Sequence, residues 1–304
     1  MAQQLTQAVV EEWVALTHGR ITNKDAWAEL DIGTPTGRKH LRVIMSRLIE
    51  KNILRARSDG NYERVNGSCP AIDWQAADLT NVVDLAFPFG LEEYATIYPK
   101  SIIVVAGSKN VGKTAFLYNF IWLNCGKHII DLYNSETGPE QMKQRFAAFP
   151  EMPDIAPFNT FERYDNFSEV IHPDHVSVID YLDMNSEVYL AGSEIDAMFR
   201  KLKTGVVVVA MQKPPPTVTM FRGKKLLTDR DLAYGGAFTA KRAVLYISLS
   251  DQRLKLVYVK TPRNPAVKPD NMQWTFNIGG DGITFHNIKP YSEPGQEDPL
   301  WYQS

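Results

Sequence analysis

An apolar strand pattern runs directly into a glycine-rich turn in the stretch Ile102-Ile103-Val104-Val105-Ala106-Gly107-Ser108-Lys109-Asn110-Val111-Gly112-Lys113-Thr114. Its last eight residues match the pattern Gly-x-x-x-x-Gly-Lys-Thr, which requires a strand before it and a helix after it. Residues 102–106 supply the strand pattern, and residues 115–124 predict the helix. Glycines let the main chain turn tightly enough for successive amides and the helix N-terminus to surround phosphate oxygens. The stretch therefore predicts that residues 107–114 form a phosphate-binding loop.

The side chains at the end of this loop suit a nucleoside triphosphate and its magnesium ion. Lys113 supplies positive charge, and Thr114 supplies a hydroxyl for Mg²⁺. Magnesium also requires a carboxylate, and Asp180 follows the apolar pattern at 176–179 as a Walker B aspartate does. Asp183 is a second carboxylate nearby, for which helix capping or a surface position is the more ordinary role. We expect ATP and Mg²⁺ here, with Thr114 and Asp180 on the metal.

Apolar strand patterns recur after this loop and are separated by helical stretches. Four of the six patterns have helical stretches on both sides, which is typical of a parallel sheet covered on both faces. The sequence therefore predicts an α/β fold with a mostly parallel sheet over residues 79–290, preceded by a linker at 67–78 and followed by a tail at 291–304. The six strand patterns cover residues 102–106, 128–133, 176–179, 206–211, 243–249 and 254–260.

The first 66 residues have a different pattern, in which three short helices precede two strands. The strand patterns at 53–57 and 62–65 flank the turn Ser58-Asp59-Gly60-Asn61. The order helix, helix, helix, hairpin resembles the winged helix, a helix-turn-helix variant whose third helix enters the DNA major groove. This resemblance implies a small winged-helix DNA-binding domain over residues 1–66.

Local charge supports a DNA contact in this segment, although the whole chain is almost neutral, with 33 basic and 35 acidic residues. Residues 34–66 contain eight basic residues against three acidic ones. Apolar residues between 41 and 48 recur at helical spacing and leave the basic side chains of the third helix to point away from the core. The alternatives to DNA contact are a solvated helix face and a winged helix that binds protein. The candidates for DNA contact are Arg38, Lys39, Arg42, Arg47, Arg55 and Arg57.

A stretch after the second strand pattern is similar to a known family. Asn134-Ser135-Glu136-Thr137-Gly138-Pro139-Glu140-Gln141-Met142-Lys143-Gln144-Arg145 resembles the Ser-Leu-Glu-Met segment, followed by Gln and Arg, of the DnaB-like and RadA-like branches of the RecA-fold ATPases. The resemblance spans about residues 79–264 and includes Phe87-Pro88-Phe89-Gly90. It implies a RecA-like ATPase core in which Glu136 is the catalytic base. The position of Glu136 after an apolar strand also places it where strand ends converge on phosphate, with an ordinary loop acid as the alternative.

The same resemblance implies roles for two further residues. Gln212 matches the family glutamine that senses the γ-phosphate and couples its state to DNA-binding loops. Lys260-Thr261-Pro262-Arg263-Asn264 resembles the Lys-x-Arg finger, in which Arg263 would reach the nucleotide of a neighbouring subunit in a ring. The sequence departs from the family at Asn264, where the family has glycine, and at Thr137-Gly138, which replaces methionine. Arg242 is the alternative finger residue.

A long basic stretch follows Gln212. It contains three consecutive prolines and is too long for a tight connection between strands. In RecA-fold proteins the corresponding loops face the central channel or filament axis, whereas a basic surface loop without a ligand is the alternative. The residues that we expect to neutralise DNA phosphates are Lys213, Arg222, Lys224 and Lys225.

Composition excludes several other classes of protein. The chain is 44% hydrophobic and 22% charged, which is typical of a folded protein. Its two cysteines lie in no Cys-x-x-Cys or nearby histidine pattern, so neither a disulfide framework nor a zinc site is expected. The sequence has no secretory pattern and no run of about 20 apolar residues. We therefore expect a soluble cytoplasmic protein without membrane association.

These features together predict an ATP-dependent DNA-binding protein that forms a homo-oligomeric ring or filament. The expected role is a helicase-like or recombination-type motor in DNA replication or repair, working with a replication or recombination partner protein. A helicase loader or accessory ATPase that acts through a protein partner is one alternative. A nucleotide-responsive DNA-binding regulator is the other.

Overall fold

The computed structural model describes residues 5–17, 19–65, 71–150, 152–153, 155–182, 190–221 and 224–291, and it divides the chain into two compact units, Met1–Ala77 and Asp78–Ser304. Four of the sequence predictions concern residues outside the described ranges: Asp183, Arg222, part of the linker and most of the C-terminal tail. Among the helices that the structure describes, none is long and apolar enough to cross a membrane.

The small unit consists of three helices and a short antiparallel sheet of strand order β1-β3-β2 in its described part. The three helices and the hairpin predicted from the sequence are present, and β1 is an additional strand. Apolar residues of α3 at positions 41, 44, 45 and 48 are all buried, as their helical spacing predicts. The elements are α1 (Gln7–Leu16), β1 (Arg20–Ile21), α2 (Asn23–Glu29), α3 (Pro35–Glu50), β2 (Leu54–Ala56) and β3 (Tyr62–Arg64).

The large unit is an α/β fold whose strands and helices alternate through most of its length. It begins with a 3₁₀ helix at Pro88–Glu93. Its helices are α4 (Lys113–Asn124), α5 (Pro139–Phe146), α6 (Phe167–Val170), α7 (Leu190–Lys201) and α8 (Ala237–Ala240). Its strands are β4 (Ser101–Gly107), β5 (Ile130–Asn134), β6 (Asn159–Glu162), β7 (Val176–Leu182), β8 (Val206–Gln212), β9 (Thr217–Phe221), β10 (Lys224–Thr228), β11 (Ala243–Ser250), β12 (Arg253–Val259), β13 (Gln273–Ile278) and β14 (Phe285–Pro290).

Nine of the described strands form one sheet of order β14-β13-β12-β11-β4-β8-β7-β5-β6. Strands from β11 to β6 pair in parallel, and β12, β13 and β14 extend the sheet with antiparallel pairs. The mostly parallel α/β sheet predicted from the sequence is confirmed, and all six predicted strands are present. Strands β9 and β10 form a separate hairpin within the long basic stretch.

Burial on both faces of the sheet explains why its central strands are continuous apolar runs. Every residue of β4 is buried, and successive side chains point to opposite faces. Ile103 and Val105 pack with α4 on one face, whereas Ile102 and Val104 pack with α7 on the other. Because parallel strands end at the same edge, this packing brings the loops after β4, β5, β7 and β8 together.

Candidate active site

The phosphate-loop sequence leaves β4 at Gly107 and enters α4 at Lys113. Gly112 has φ 101°, which is a left-handed conformation that favours glycine. A Cβ at Gly112 would lie 2.6 Å from Ile278 Cδ1, and a Cβ at Gly107 would lie 2.8 Å from Val111 Cγ2. A side chain at Gly112 would therefore be strained by the backbone conformation, and at either position a Cβ would require a neighbouring side chain to shift.

This loop forms one wall of a cleft with a volume of about 640 Å³. Residues from the ends of β5, β7 and β8 form the facing wall, and the β13–β14 hairpin closes one side. The cleft has the size of a typical ligand pocket. The structure brings together seven of the sequence-predicted residues on its lining: Lys109, Asn110, Gly112, Lys113, Thr114, Glu136 and Gln212.

Lys113 points its ammonium group into the loop. Its Nζ donates a hydrogen bond to the carbonyl oxygen of Ser108 at 2.9 Å. Burial lowers the pKa of Lys113, and the carboxylates of Glu136 and Asp180 partly oppose this shift. The ammonium is thus largely desolvated and ready to exchange a carbonyl partner for a phosphate oxygen, which would neutralise its charge.

Asp180 is completely buried beside the first turn of α4. Thr114 Oγ1 donates a hydrogen bond to Asp180 Oδ1 at 3.3 Å, whereas Asp180 Oδ2 has no hydrogen-bond partner. Burial raises the pKa of Asp180 to about 6, against the lowering effects of the Thr114 hydrogen bond and the charge of Lys113. A buried carboxylate oxygen without a partner, next to a hydroxyl, fits Mg²⁺, which prefers oxygen ligands.

Glu136 lies two residues beyond the end of β5, in a small hydrogen-bonded turn. Asn134 closes this turn because its Oδ1 accepts hydrogen bonds from the amide of Thr137 at 3.2 Å and from the Thr137 hydroxyl at 3.0 Å. The Ser135 amide donates to the carbonyl oxygen of Asp180 at 2.9 Å and ties the turn to β7. Glu136 itself is exposed, and its negative charge acts on both Lys113 and Asp180. The turn therefore holds a solvated carboxylate at the mouth of the cleft.

Arg145 is a cleft residue to which the sequence analysis gave no role. It lies in α5, four residues after Gln141, so that both side chains share one helix face and line the cleft. Its Nη1 is buried and has no hydrogen-bond partner. The positive charge of Arg145 lowers the pKa of Asp180, although burial dominates there. The sequence signal that could have identified Arg145 was its helical spacing from Gln141.

The β13–β14 hairpin also contributes residues that the sequence analysis missed. Ile278 and Gly282 line the cleft, and Ile278 packs directly on Gly112. The Asn119 side-chain amide of α4 donates to the carbonyl oxygen of Ile283 at 2.9 Å, which fastens the hairpin to the helix that follows the loop. No local sequence signal could place these residues, because they lie more than 150 positions after the loop.

The two candidate finger arginines lie outside the cleft of their own chain. Arg263 Nη1 donates to the carbonyl oxygen of Glu92 at 3.1 Å, and Arg263 lines a second cavity of about 320 Å³. Arg242 forms an ion pair with Asp196 at 2.6 Å and stacks on the Phe199 ring. Arg242 is thus held by α7, whereas Arg263 is exposed.

The expected DNA contact of Lys213 is not supported by its position. Lys213 is completely buried, and its ammonium is bound by Asp229 and two serine hydroxyls, so its charge is not presented to a phosphate. Sequence composition could not reveal this, because the partners lie 16 to 37 residues away. Lys224 and Lys225 belong to β10 of the hairpin.

The basic residues of the small unit fall into two groups. Lys39, Arg42 and Arg47 are exposed on α3. The others are engaged within the unit: Arg38 stacks on the Trp27 ring at 4.3 Å, and Arg55 and Arg57 form ion pairs with Glu63 at 2.8 and 2.6 Å.

The chain has weak similarity to several solved structures. The crystal structure of the RadB recombinase matches 63% of this chain and 92% of its own, with 12% identity and a TM-score of 0.43. A KaiC-like protein from the hyperthermophilic archaeon Pyrococcus horikoshii OT3 matches 67% and 98%, with 17% identity and a TM-score of 0.45. A third structure, of an isolated ATPase domain, matches 63% and 86%, with 13% identity and a TM-score of 0.41.

No family model and no curated protein matches the sequence. The described strands themselves show that the large unit has an α/β fold with a mostly parallel sheet, as the sequence predicted.

Proposed function

We propose that this protein is a magnesium-dependent ATPase that hydrolyses ATP in a DNA-bound, homo-oligomeric assembly of RecA/DnaB-like type. The observation that carries the proposal is the cleft itself. It is lined by the phosphate loop, a desolvated lysine and a solvated glutamate at one edge of a parallel sheet, and the hydroxyl of the lining residue Thr114 donates to the buried carboxylate of Asp180. This combination suits phosphoryl transfer to water.

Each residue has a distinct part in this proposal. Main-chain amides of residues 107–114 and the ammonium of Lys113 bind the phosphate oxygens. Thr114 and Asp180 would hold Mg²⁺, which when bound offsets the negative charge of the β- and γ-phosphates. Glu136 orients the attacking water and accepts its proton at the side-chain carboxylate.

Gln212 and Arg263 complete the proposed site. Gln212 ends β8 and lines the cleft. In this proposal its side-chain amide senses whether a terminal phosphate is present. Arg263 would act on the nucleotide of a neighbouring subunit, because it is exposed and does not line its own cleft. An arginine supplied in this way typically accelerates hydrolysis by about 10³-fold or more.

The decisive experiment compares Glu136→Gln with Glu140→Gln. Both glutamates are exposed and only four residues apart, but Glu140 does not line the cleft. We expect Glu136→Gln to keep Mg²⁺-dependent ATP binding and to lower turnover by about 10²- to 10⁴-fold. Glu140→Gln should match the parent. A parent protein that binds no ATP in the presence of Mg²⁺, by calorimetry, would disprove the proposed function.

We further propose that the small unit is a winged-helix domain that contacts duplex DNA through α3. The exposed residues Lys39, Arg42 and Arg47 are the phosphate contacts in this proposal. Replacing each by alanine should weaken binding for all sequences and reduce the slope of log K against log[salt] by about 1 per residue. Lys24→Ala, an exposed lysine on α2, is the control and should leave the slope unchanged.

A protein partner is the second candidate for the small unit. The observation in its favour is that Arg55 and Arg57, two basic residues of the hairpin, are already paired with Glu63. In that case the protein is a helicase loader or accessory ATPase in replication or recombination. Unchanged DNA binding after removal of all three α3 charges would favour this alternative over direct DNA contact.

A further inference from the structure

Lys213 is a buried, charged residue of the large unit to which the proposed chemistry assigns no role. Its side chain has no exposed surface. The ammonium donates three hydrogen bonds: to Asp229 Oδ2 at 2.9 Å, to Ser250 Oγ at 2.8 Å and to Ser248 Oγ at 3.2 Å. Ser250 Oγ in turn donates to Asp229 Oδ2 at 2.5 Å. A lysine ammonium has three donors, so all of them are used.

This network lies across the root of the phosphate loop. In the sheet, β4 lies between β8 and β11, with Gln212 and Leu249 both in register with Gly107. The Lys213 amide donates to the carbonyl oxygen of Gly107 at 3.1 Å. From this position after β8, the side chain reaches the hydroxyls of β11, on the other side of β4. Lys213 therefore bridges the two strands that flank the strand carrying the loop.

The same network joins the two ends of the β9–β10 hairpin. Lys213 lies four residues before β9, and Asp229 immediately follows β10. Their ion pair closes the chain segment that contains the hairpin and anchors it to the end of β11 through Ser250. Gln212, which lines the cleft, is the residue immediately before Lys213. One ion pair thus connects the hairpin, the root of the loop and the cleft-lining glutamine.

A buried ion pair contributes little net stability, since desolvation of the charges opposes their attraction. In some proteins such a pair instead specifies one arrangement of the chain, because a buried charge accepts few alternative partners. Here the lysine is fully buried, whereas the Asp229 side chain is 28% exposed. Water therefore reaches the pair from the aspartate, at the hairpin end, rather than from the lysine.

We propose that Lys213 is a positioning residue: its ion pair with Asp229 holds the ends of the β9–β10 hairpin against the strand end that carries Gln212 and against the root of the phosphate loop. Phosphate occupancy of the cleft and the position of the hairpin then change together. This inference rests on the proposed function in two respects: the cleft binds nucleotide, and the protein hydrolyses ATP, which the kcat measurement requires.

The test uses an environment-sensitive dye on the hairpin of the full-length protein. Met220, 65% exposed on β9, is changed to cysteine and labelled in a background where Cys69 and Cys125 are serine. In the parent we expect different dye spectra with Mg·ADP and with a non-hydrolysable Mg·ATP analogue. Lys213→Met should reduce that spectral difference by at least half. It should also lower kcat about tenfold while nucleotide Kd stays within about threefold, since an interaction that positions the catalytic state affects kcat more than binding.

Lys255→Met is the matched control. Lys255 pairs with Asp231 at 2.8 Å, two residues from Asp229, but both partners are partly exposed and the lysine lies on β12. This variant should leave the spectral difference, kcat and Kd unchanged. If Lys213→Met fails to fold, Ser250→Ala removes one acceptor of the same ammonium and should give an intermediate loss of the spectral difference.

The inference is overturned if Lys213→Met behaves as the parent, if Lys255→Met has the same effect, or if Kd and kcat worsen in parallel. It is also overturned if Ser250→Ala keeps the full spectral difference in a chain where Lys213→Met is unfolded. These failures are distinct from failure of the proposed function, because in that case the unmodified parent itself would bind neither Mg·ADP nor the ATP analogue, or would show no ATP turnover.

Discussion

Asp180→Asn should stabilise the protein at neutral pH while abolishing ATP hydrolysis. Burial raises the pKa of Asp180 from 3.8 to about 6. The folded chain therefore binds this proton more tightly than the unfolded chain. The ionised carboxylate is thus unfavourable to folding at any pH above about 6, and the penalty disappears below 3.8, where both states are protonated.

The size of this effect follows from the pKa shift. An increase of about 2 units corresponds to ~3 kcal/mol against the folded state at pH 7.5. Asparagine removes the charge but leaves an amide where Asp180 Oδ2 has no partner, which costs roughly 1 kcal/mol. The net gain is about 2 kcal/mol at pH 7.5. Between pH 7.5 and pH 4 the difference between variant and parent should shrink by roughly 2 kcal/mol, since the parent recovers stability as Asp180 takes up its proton.

The assay is urea unfolding of the full chain without nucleotide and with a chelator present. The transition of the large unit is identified as the one that Mg·ADP shifts in the parent, because a ligand stabilises only the unit that binds it. Asp196→Asn is a control of opposite sign. The pKa of Asp196 is lowered, chiefly by a hydrogen bond from Arg242, so its contribution to stability is present at neutral pH and lost as the pH falls through the lowered pKa.

Two results would refute this reasoning. If the stability curves of Asp180→Asn and the parent run parallel between pH 4 and pH 7.5, Asp180 does not titrate with a raised pKa. If Asp180→Asn hydrolyses ATP at the parental rate, its carboxylate is not a ligand of the magnesium ion.

Three further predictions concern other parts of the site. Gly112→Ala should lower the free energy of unfolding in urea by about 1–2 kcal/mol, because alanine is strained in the left-handed conformation of Gly112. It should also lower ATP affinity at least tenfold by calorimetry, because its Cβ would meet Ile278. Unchanged affinity would contradict the loop geometry. Arg145→Met should raise the pKa of Asp180, so that Mg·ATP binding is lost at a higher pH when the pH is lowered. If a pH titration shows the same loss of binding in variant and parent, Arg145 does not act on the site. Mixing the inactive variants Glu136→Gln and Arg263→Ala should restore part of the ATP hydrolysis measured in the mixture if Arg263 acts on a neighbouring subunit, whereas a mixture that remains inactive would contradict action between subunits.

The central strands were predictable because both of their faces are buried. Every residue of β4 is buried, so a continuous apolar run was the correct expectation. Strand β6 has four exposed residues, and most of β14 is exposed or half-buried. Their sequences lack an apolar run or a clean alternation, because they lie at the two edges of the sheet. Pairing with a neighbouring strand, rather than local pattern, determines that they are extended.

The candidate site also contains residues whose positions were predictable from the sequence and residues whose positions were not. The positions of Asp180 and Glu136 at one edge of the sheet were predictable, because Asp180 lies near the end of β7 and Glu136 follows β5 in a parallel sheet. Ile278 lies in the cleft only because the β13–β14 hairpin packs on Gly112. The prediction that Lys213 contacts DNA assumed an exposed lysine, whereas Lys213 is buried and its ammonium is bound by an aspartate and two serines elsewhere in the chain.

Lys113, which lines the cleft, and Asp180, which is completely buried beside Thr114, both have a charged form that burial makes unfavourable. Burial lowers the pKa of Lys113 and raises that of Asp180, so each shift favours the neutral form. Their charges do not compensate each other through a direct contact, since Lys113 donates to a loop carbonyl and Asp180 Oδ2 has no hydrogen-bond partner. A triphosphate would supply a negatively charged partner for Lys113, and a divalent cation would supply a positively charged partner for Asp180. The fold therefore keeps two charges that burial disfavours close to the phosphate loop. A nucleotide bound together with its metal would stabilise both charges at once.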